Sequence, residues 1–359
     1  MRCLTKLVSM IIHVFADTPH HFEPMRRFFS ERCSINAEQQ FWIKSPTKES
    51  KLAEHFTVYA NNTELFQLLS LLPADAQIVF HGLFDMHIWR KLLVNPIVKR
   101  SSCVIWGAEL YRHGKAGRNW KEWLVHGLHI LLMRRLAGVY TLTPGDADLV
   151  SKLLKRSDAN VLPYPLIGVE ATSSLPRKNS DPIKILVGNS ASASNNHALA
   201  FEQIKHLGNE NIEVIVPLNY AGTQQYIEEI ISLGTQLFAD RFKPITHMLP
   251  KSEYDKLLND VSCTVFAQDR QQGLYVAYAM LLMGKPMFLM DNTTSYSNLQ
   301  SLGFEVFASQ SLSEYQFNQL DVLTAQINSQ NQRLMQQHFT EQALAPKWSD
   351  MLNQLLGSK

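Results

Sequence analysis

Five short segments of this chain carry side chains whose types and spacing suit chemistry. Pro19-His20-His21-Phe22 follows a first apolar run, Phe80-His81-Gly82 follows another, and Trp106-Gly107-Ala108-Glu109-Leu110-Tyr111 follows a third. Each puts an ionisable group just beyond an expected strand. There a carboxylate or imidazole could take a proton from a hydroxyl, and an imidazolium could face a phosphate. Histidines in such loops also serve simply as hydrogen-bonded structural residues. Further along, Gly188-Asn189-Ser190-Ala191-Ser192 leads into Asn195 and a helix start. Small residues at a strand-to-helix junction can hold a diphosphate against backbone N–H groups and the positive helix end, although a Ser/Asn-rich loop can equally just cap the helix. Arg270-Gln271-Gln272-Gly273 offers a cation, two amides and a glycine at a second such junction. It could bind a phosphate or sugar hydroxyls, or form a solvated first turn.

Alternating short apolar runs and helical patterns must position these groups, which is how parallel α/β sheets read. Strands are expected at Leu7–Phe15, Phe41–Ile43, Gln77–Phe80, Ser102–Trp106 and Gly138–Thr141, with helices at Met25–Cys33, Asn62–Leu72 and Asp146–Arg156. The pattern restarts with strands at Ile183–Val187, Ile212–Pro217, Ile245–Leu249, Val261–Phe266 and Pro286–Met290. Helices at Gln224–Leu233, Lys251–Asn259 and Leu274–Met283 lie between them. The expected architecture is two Rossmann-like α/β domains facing a central cleft. Residues 1–165 form the first and 183–345 the second, with a polar linker at 166–182 and a C-terminal helix at 346–359. Ligands of open parallel sheets sit beyond the carboxyl ends of the strands. Glycosyltransferases of the B-type fold pair two such domains, one for acceptor and one for nucleotide-sugar. Periplasmic binding proteins and some epimerases also pair two α/β domains, so architecture alone leaves function open.

The 359 residues are 45% hydrophobic and 18% charged, which excludes a disordered or fibrous chain. A mean hydropathy of -0.13 and the absence of a long apolar run exclude a polytopic membrane protein. The formal net charge of +2 argues against a nucleic-acid partner. That total hides an imbalance: residues 1–165 carry 21 Lys and Arg against 14 Asp and Glu, and the remainder is acidic. The scattered Cys3, Cys33, Cys103 and Cys263 match a reduced chain and supply no zinc site. The N-terminus reads as a first strand instead of a secretion signal, because His13 interrupts a short apolar stretch. No G-x-G-x-x-G or Walker-type loop supports an oxidoreductase or a P-loop enzyme. Asp146-Ala147-Asp148 mimics a D-x-D metal motif, yet after Thr143-Pro144-Gly145 it reads better as acidic helix capping. Between Lys115 and Arg135, Trp120, Trp123, Leu124, Leu128 and Leu131 share one helical face with Arg118, Lys121, Arg134 and Arg135 around it. Such a helix can lie on an anionic membrane surface or pack its apolar face on the core; its place in the basic half favours the membrane.

Together these segments resemble the TDP-N-acetylfucosamine:lipid II N-acetylfucosaminyltransferases of enterobacterial common antigen assembly, a 4-alpha-L-fucosyltransferase-like family. The resemblance runs nearly end to end. It rests on Ile12-His13-Val14, Pro19-His20-His21 with Arg27-Phe28-Phe29, Phe80-His81-Gly82, Trp106 to Tyr111, Ile185 to Ser190, Tyr226-Ile227-Glu228-Glu229 and Arg270 to Gly273. Glu109 stands where the family can carry Asp, and the residues after Gly273 diverge.

The resemblance implies a peripheral enzyme on the cytoplasmic face of the bacterial inner membrane. It would move 4-acetamido-4,6-dideoxy-D-galactose from a TDP-sugar donor to a polyprenyl-diphosphate-linked disaccharide. Transfer of another nucleotide-sugar, such as a fucosyl donor, is the nearest alternative, and a non-catalytic two-domain sugar-binding protein is the alternative of another class. For the enzyme, Glu109, His81 and His20 are the expected catalytic residues. Gly188, Asn189, Ser190, Asn195, Tyr220, Arg270, Gln271, Gln272 and Gly273 are expected to hold the donor. His21, Trp120, Trp123, Arg134 and Arg135 are expected on the acceptor and membrane side. No metal or other cofactor is expected.

Overall fold

Apolar runs that are buried on both faces become parallel strands when helices cover both sides of a sheet. The computed structural model describes residues 9–45, 54–113, 119–168, 178 and 180–357, and shows two such sheets. The first contains β1 (Met10–Phe15), β2 (Glu38–Lys44), β3 (Thr57–Tyr59), β4 (Gln77–His81), β5 (Ser101–Ile105), β6 (Gly138–Thr141) and β7 (Asn160–Val161). Their order is β3-β2-β1-β4-β5-β6-β7, and every pairing is parallel. The second contains β8 (Ile183–Val187), β9 (Ile212–Pro217), β10 (Phe242–Ile245), β11 (Cys263–Phe266), β12 (Met287–Leu289) and β13 (Phe307–Ala308), in the order β10-β9-β8-β11-β12-β13, again all parallel. Both are doubly wound. In each, the strand order reverses beside the first strand, between β1 and β4 and between β8 and β11, and the reversal opens a crevice at the carboxyl ends.

The chain divides into two compact units, residues 1–167 with 341–359, and residues 168–340. The core of the first gathers Ile12, Val14, Ile78, Phe80, Trp89 and Ile105, and that of the second Ile185, Val187, Val214, Phe201, Val265 and Phe288. Cys33, Cys103 and Cys263 are buried thiols outside any disulfide, whereas Cys3 and the start of the expected first strand lie outside the described residues. So does most of the expected linker, at 169–177 and 179.

Two expectations shift. The strand placed at Ile245–Leu249 lies instead at Phe242–Ile245. It is an edge strand with exposed Lys243 and Pro244, a composition that guards a sheet edge while hiding its strand signal. The polar turn read at Ala16–His21 is already helical from Pro19, because proline at the first helical position has its φ preset and needs no amide partner. His20 and His21 therefore stand on a first helical turn; the side chain of His20 lies outside the described residues.

The C-terminal helix, expected from residue 346, begins at Glu341 and runs to Gly357, and it belongs to the first unit, so residues 341–345 leave the second. Glu341 pairs with Arg32 at 3.0 Å, Ser349 Oγ accepts the Ser34 N–H at 2.9 Å, and Trp348 Nε1 donates to the Pro163 carbonyl at 3.0 Å. Trp348 is fully buried, stacked on Tyr164 at 5.1 Å and edge-on to Phe29 at 5.1 Å. Trp348→Ala is expected to cost the fold about 3–5 kcal/mol in a chemical denaturation curve, the range for a buried aromatic truncated in place.

Candidate active site

In the first unit, the crevice beside β1 and β4 receives the segments after β1, β4 and β5. Gly82, at φ +77°, turns the chain sharply after β4, and Gly107, at φ +107°, does so after Trp106. Only glycine adopts such angles without strain. The second turn starts the short helix Ala108–Tyr111 and carries Glu109 inward, where it is 2% exposed. Glu109 Oε1 accepts the Trp106 backbone N–H at 3.0 Å, while Oε2 has no hydrogen-bond partner. Burial pushes the Glu109 carboxyl up to about 7; the Trp106 and Leu83 amides oppose the rise and the Asp146 charge adds to it. A carboxyl poised near neutrality beyond a strand end is suited to accept a proton from a hydroxyl.

The indole of Trp106 joins the other groups. His21 meets it edge-on at 5.6 Å, and its Nε1–H donates to Tyr164 Oη at 3.3 Å. Tyr164 Oη is 2.5 Å from His81 Nδ1, and His81 Nε2 is 2.9 Å from His13 Nδ1. The structure thus brings His21, His81 and Glu109 into one set through Trp106 and Tyr164. His81 is fully buried with both ring nitrogens engaged, and burial, then the neighbouring His13, holds its pKa well below the usual imidazole value. His13, Tyr164 and Trp348 were not among the expected site residues. His13 had a signal, a lone polar residue inside an apolar strand; Tyr164 had another, its place between Pro163 and Pro165, which stiffen the backbone on either side.

In the second unit the crevice lies between the ends of β8 and β11. Asn195, fully buried, organises the loop there: its Nδ2 donates to Ser190 O at 2.9 Å and to Ser192 O at 3.1 Å. Its Oδ1 accepts from the Asn189 N–H and from Gln268 Nε2, each at 3.1 Å. Asn189 Nδ2 donates to Tyr220 Oη at 3.0 Å, and Tyr220 is 42% exposed. From the β11 side Arg270 Nη2 donates to Ser194 Oγ at 3.3 Å, and Ser194 Oγ donates to Gln272 Oε1 at 2.7 Å. Gly273, at φ +68°, approaches so closely that an added Cβ would lie 3.1 Å from Asn189 Cγ. The nine expected donor residues therefore form one neighbourhood, with Gln268 added.

Three buried polar atoms around this loop have no hydrogen-bond partner: Gln271 Oε1, Gln272 Nε2 and His197 Nε2. Each such atom costs about 1–3 kcal/mol when left bare. That cost is tolerable where a polar ligand completes the site. Gly188, at φ +68°, lies against the same groups, and an added Cβ would sit 2.9 Å from both Asn195 Oδ1 and His197 Nε2. Gly188→Ala is therefore expected to lose about 1–3 kcal/mol of stability from left-handed strain and crowding. Thermal denaturation should show that loss.

The helix Trp120–Arg135 turns its apolar stripe outward. Trp120 is 68% exposed, Trp123 62%, Leu124 59% and Leu131 50%. The side facing the core holds His126, His129, Leu132 and Met133, with His129 stacked on Trp89 at 4.1 Å and His126 Nε2 2.7 Å from Leu153 O. Of the expected face, Trp120, Trp123, Leu124 and Leu131 are exposed, whereas Leu128 packs against the core. Arg134 and Arg135 are exposed at the end of the helix; Lys115 and Arg118 lie outside the described residues. Asp146 is buried and accepts from Tyr111 Oη at 2.6 Å, in the first turn of a helix capped by Thr143. Among the described residues no cluster of three His, Cys, Asp or Glu side chains could hold a metal ion, and no helix is long and apolar enough to cross a membrane.

The sequence matches the family described as 4-alpha-L-fucosyltransferase, glycosyl transferase group 56, over residues 8–355. This chain belongs to that family. The glycosyltransferase also shares its fold with solved structures of low sequence identity. HepE of Anabaena, in complex with UDP and glucose, is 11% identical with a TM-score of 0.73, covering 96% of this chain and 100% of that one. Sucrose-phosphate synthase of Thermosynechococcus elongatus is 11% identical with a TM-score of 0.70, covering 98% and 100%. A glycosyltransferase of Rickettsia africae is 10% identical with a TM-score of 0.69, again covering 98% and 100%. The chain is a glycosyltransferase enzyme with two parallel-sheet α/β domains, the B-type fold.

Proposed function

We propose that this glycosyltransferase moves 4-acetamido-4,6-dideoxy-D-galactose from thymidine diphosphate to an undecaprenyl-diphosphate-linked disaccharide, N-acetylmannosaminuronic acid on N-acetylglucosamine. The product is the lipid-linked trisaccharide of enterobacterial common antigen assembly, lipid III. The observation that carries the reading is the loop beside β8, where Gly188, Asn189, Ser190 and Asn195 meet Arg270 and Gln272 around buried polar atoms that lack partners. A diphosphate there would meet backbone N–H groups, the Arg270 cation and the start of the helix His197–Ile204. The exposed Tyr220 ring offers a face for the base or ribose. HepE, on the same fold, was solved with UDP and glucose.

In the first unit Glu109 takes the proton of the acceptor hydroxyl. That oxygen forms the new bond to the anomeric carbon as the bond to the diphosphate breaks, and TDP leaves with the electron pair. Arg270 and the loop dipoles meet the charge on the leaving group, in place of a divalent metal. Turnover with a panel of TDP-, UDP- and GDP-linked sugars, read as nucleoside diphosphate released in the presence of lipid acceptor, tests the donor. Release from the TDP-sugar alone supports the reading, and release from another donor replaces it.

The acceptor carries a polyprenyl chain, so the enzyme works at a membrane surface, peripherally and on the cytoplasmic face of the inner membrane where nucleotide-sugars are made. The outward tryptophan stripe with Arg134 and Arg135 supports this contact. Replacing Trp120, Trp123, Arg134 and Arg135 together is expected to weaken sedimentation with anionic vesicles about tenfold or more. Wild-type sedimentation would make the stripe irrelevant to the membrane.

A further inference from the structure

A line of side chains runs through the first unit from β2 to the loop after β5, and both of its ends are chemically fixed. At one end Gln39 Nε2 donates to the Phe29 carbonyl at 3.2 Å, a group that can only accept. The Gln39 Oε1 is thereby turned toward His13 Nε2 at 3.1 Å, so His13 carries its proton on Nε2 and leaves Nδ1 bare. His13 Nδ1 accepts from His81 Nε2 at 2.9 Å, and His81 Nδ1 then accepts the Tyr164 hydroxyl at 2.5 Å. At the other end the Trp106 indole, which can only donate, gives its N–H to Tyr164 Oη at 3.3 Å. Donor and acceptor alternate along the whole line, and both imidazoles are neutral Nε2–H tautomers.

Burying two imidazoles in an aromatic core requires a partner for every ring nitrogen, and the line supplies all four. His13 is fully buried, stacked on Phe29 at 4.5 Å and Phe41 at 5.1 Å, where an apolar ring would pack equally well. Burial holds both imidazoles neutral, His13 at about 3 and His81 well below its usual value, so the line keeps its direction across the working pH range. The line stops at the residue whose backbone N–H holds Glu109.

We propose that His13 is a positioning residue for proton removal from the acceptor, acting through His81 and Tyr164 to fix Trp106 and with it the Glu109 carboxylate. This rests on the reading of Glu109 given above. His13→Phe keeps the ring and its stacking but strands the His81 Nε2–H. His81 is then expected to move its proton to Nδ1 and reverse its bond to Tyr164. His13→Asn places an oxygen where Nδ1 stood and should restore the acceptor.

Two measurements on the full-length protein test this. Imidazole 15N–1H correlation spectra should show neutral Nε2–H forms for His13 and His81 in wild type, and Nδ1–H for His81 in His13→Phe. Steady-state kinetics should show kcat down about tenfold in His13→Phe with the donor KM unchanged, and mostly recovered in His13→Asn. Tyr164→Phe, which keeps its stacking on Trp348, should lose kcat to the same extent and guards against a His13 variant that fails to fold. An unchanged His81 tautomer, or His13→Asn as impaired as His13→Phe, overturns the proposal. Glu109→Gln reports on the carboxylate separately: if it keeps full turnover the base assignment falls, whatever the tautomers show.

Discussion

Glu109→Gln is expected to lower kcat for transfer by about 10²–10⁴-fold, the contribution of a positioned general base, with TDP affinity unchanged. In the wild type, activity should rise with pH through about 7 as the carboxyl ionises, and the residual activity of the Gln variant should lack that limb. Stability should move the other way. The folded carboxyl titrates at about 7 and the unfolded one near 4.5, so the native state holds the extra proton between those values. Stability therefore falls as pH rises from about 4.5 to about 7, and above that range the ionised group costs about 3 kcal/mol. Gln is neutral throughout and keeps an oxygen for the Trp106 amide. The variant should therefore melt higher than wild type at pH 8 and show no such gain at pH 5. An enzyme that gains stability on losing its base is the pattern of a strained active site.

Arg270→Ala should lower kcat by about 10²–10³-fold, the scale for removing one preorganised donor from a developing charge. Arg270 is partly exposed, and the bond it makes to Ser194 Oγ is one of several that order that hydroxyl. Its loss should therefore leave the melting temperature within a degree or two. Arg270→Lys should recover only part of the rate, since an ammonium keeps the charge without the guanidinium fork. The expected independence from divalent metal is checked in the same assay, where EDTA should leave the wild-type rate unaltered.

The fold was legible where burial on both faces leaves continuous apolar runs. Ile183–Val187, Ile212–Pro217 and Gly138–Thr141 are strands at their expected bounds. The edge strand Phe242–Ile245 escaped because exposed Lys243 and Pro244 interrupt its run, and the apolar Ile245–Leu249 beside it mimicked a strand. The juxtaposition of two loops in the second unit was legible because the residues of each are close in sequence: Gly188 through Asn195 form one, and Arg270 through Gly273 the other. The cluster around Trp106 was legible only in part. His81 and Glu109 stand at strand ends, but their partners His13, Tyr164 and Trp348 come from a strand interior, a proline-flanked segment and a C-terminal helix that returns to the first unit. Long-range closure of this kind leaves no local pattern. The helix Trp120–Arg135 shows the complementary difficulty: periodicity identified its apolar stripe, but only the packing of His126 and His129 against Leu153 and Trp89 decides that the stripe faces outward.

Transfer of one acetamido-dideoxyhexosyl unit to a polyprenyl-diphosphate disaccharide, as proposed, is read most directly from the intact mass of the lipid product. Purified enzyme, TDP-linked 4-acetamido-4,6-dideoxygalactose and the lipid acceptor should yield an acceptor heavier by one such unit, formed about 10²–10⁴-fold more slowly by Glu109→Gln. An acceptor of unchanged mass after incubation with active wild-type enzyme, or one lengthened by a different sugar from the donor panel, would exclude that transfer.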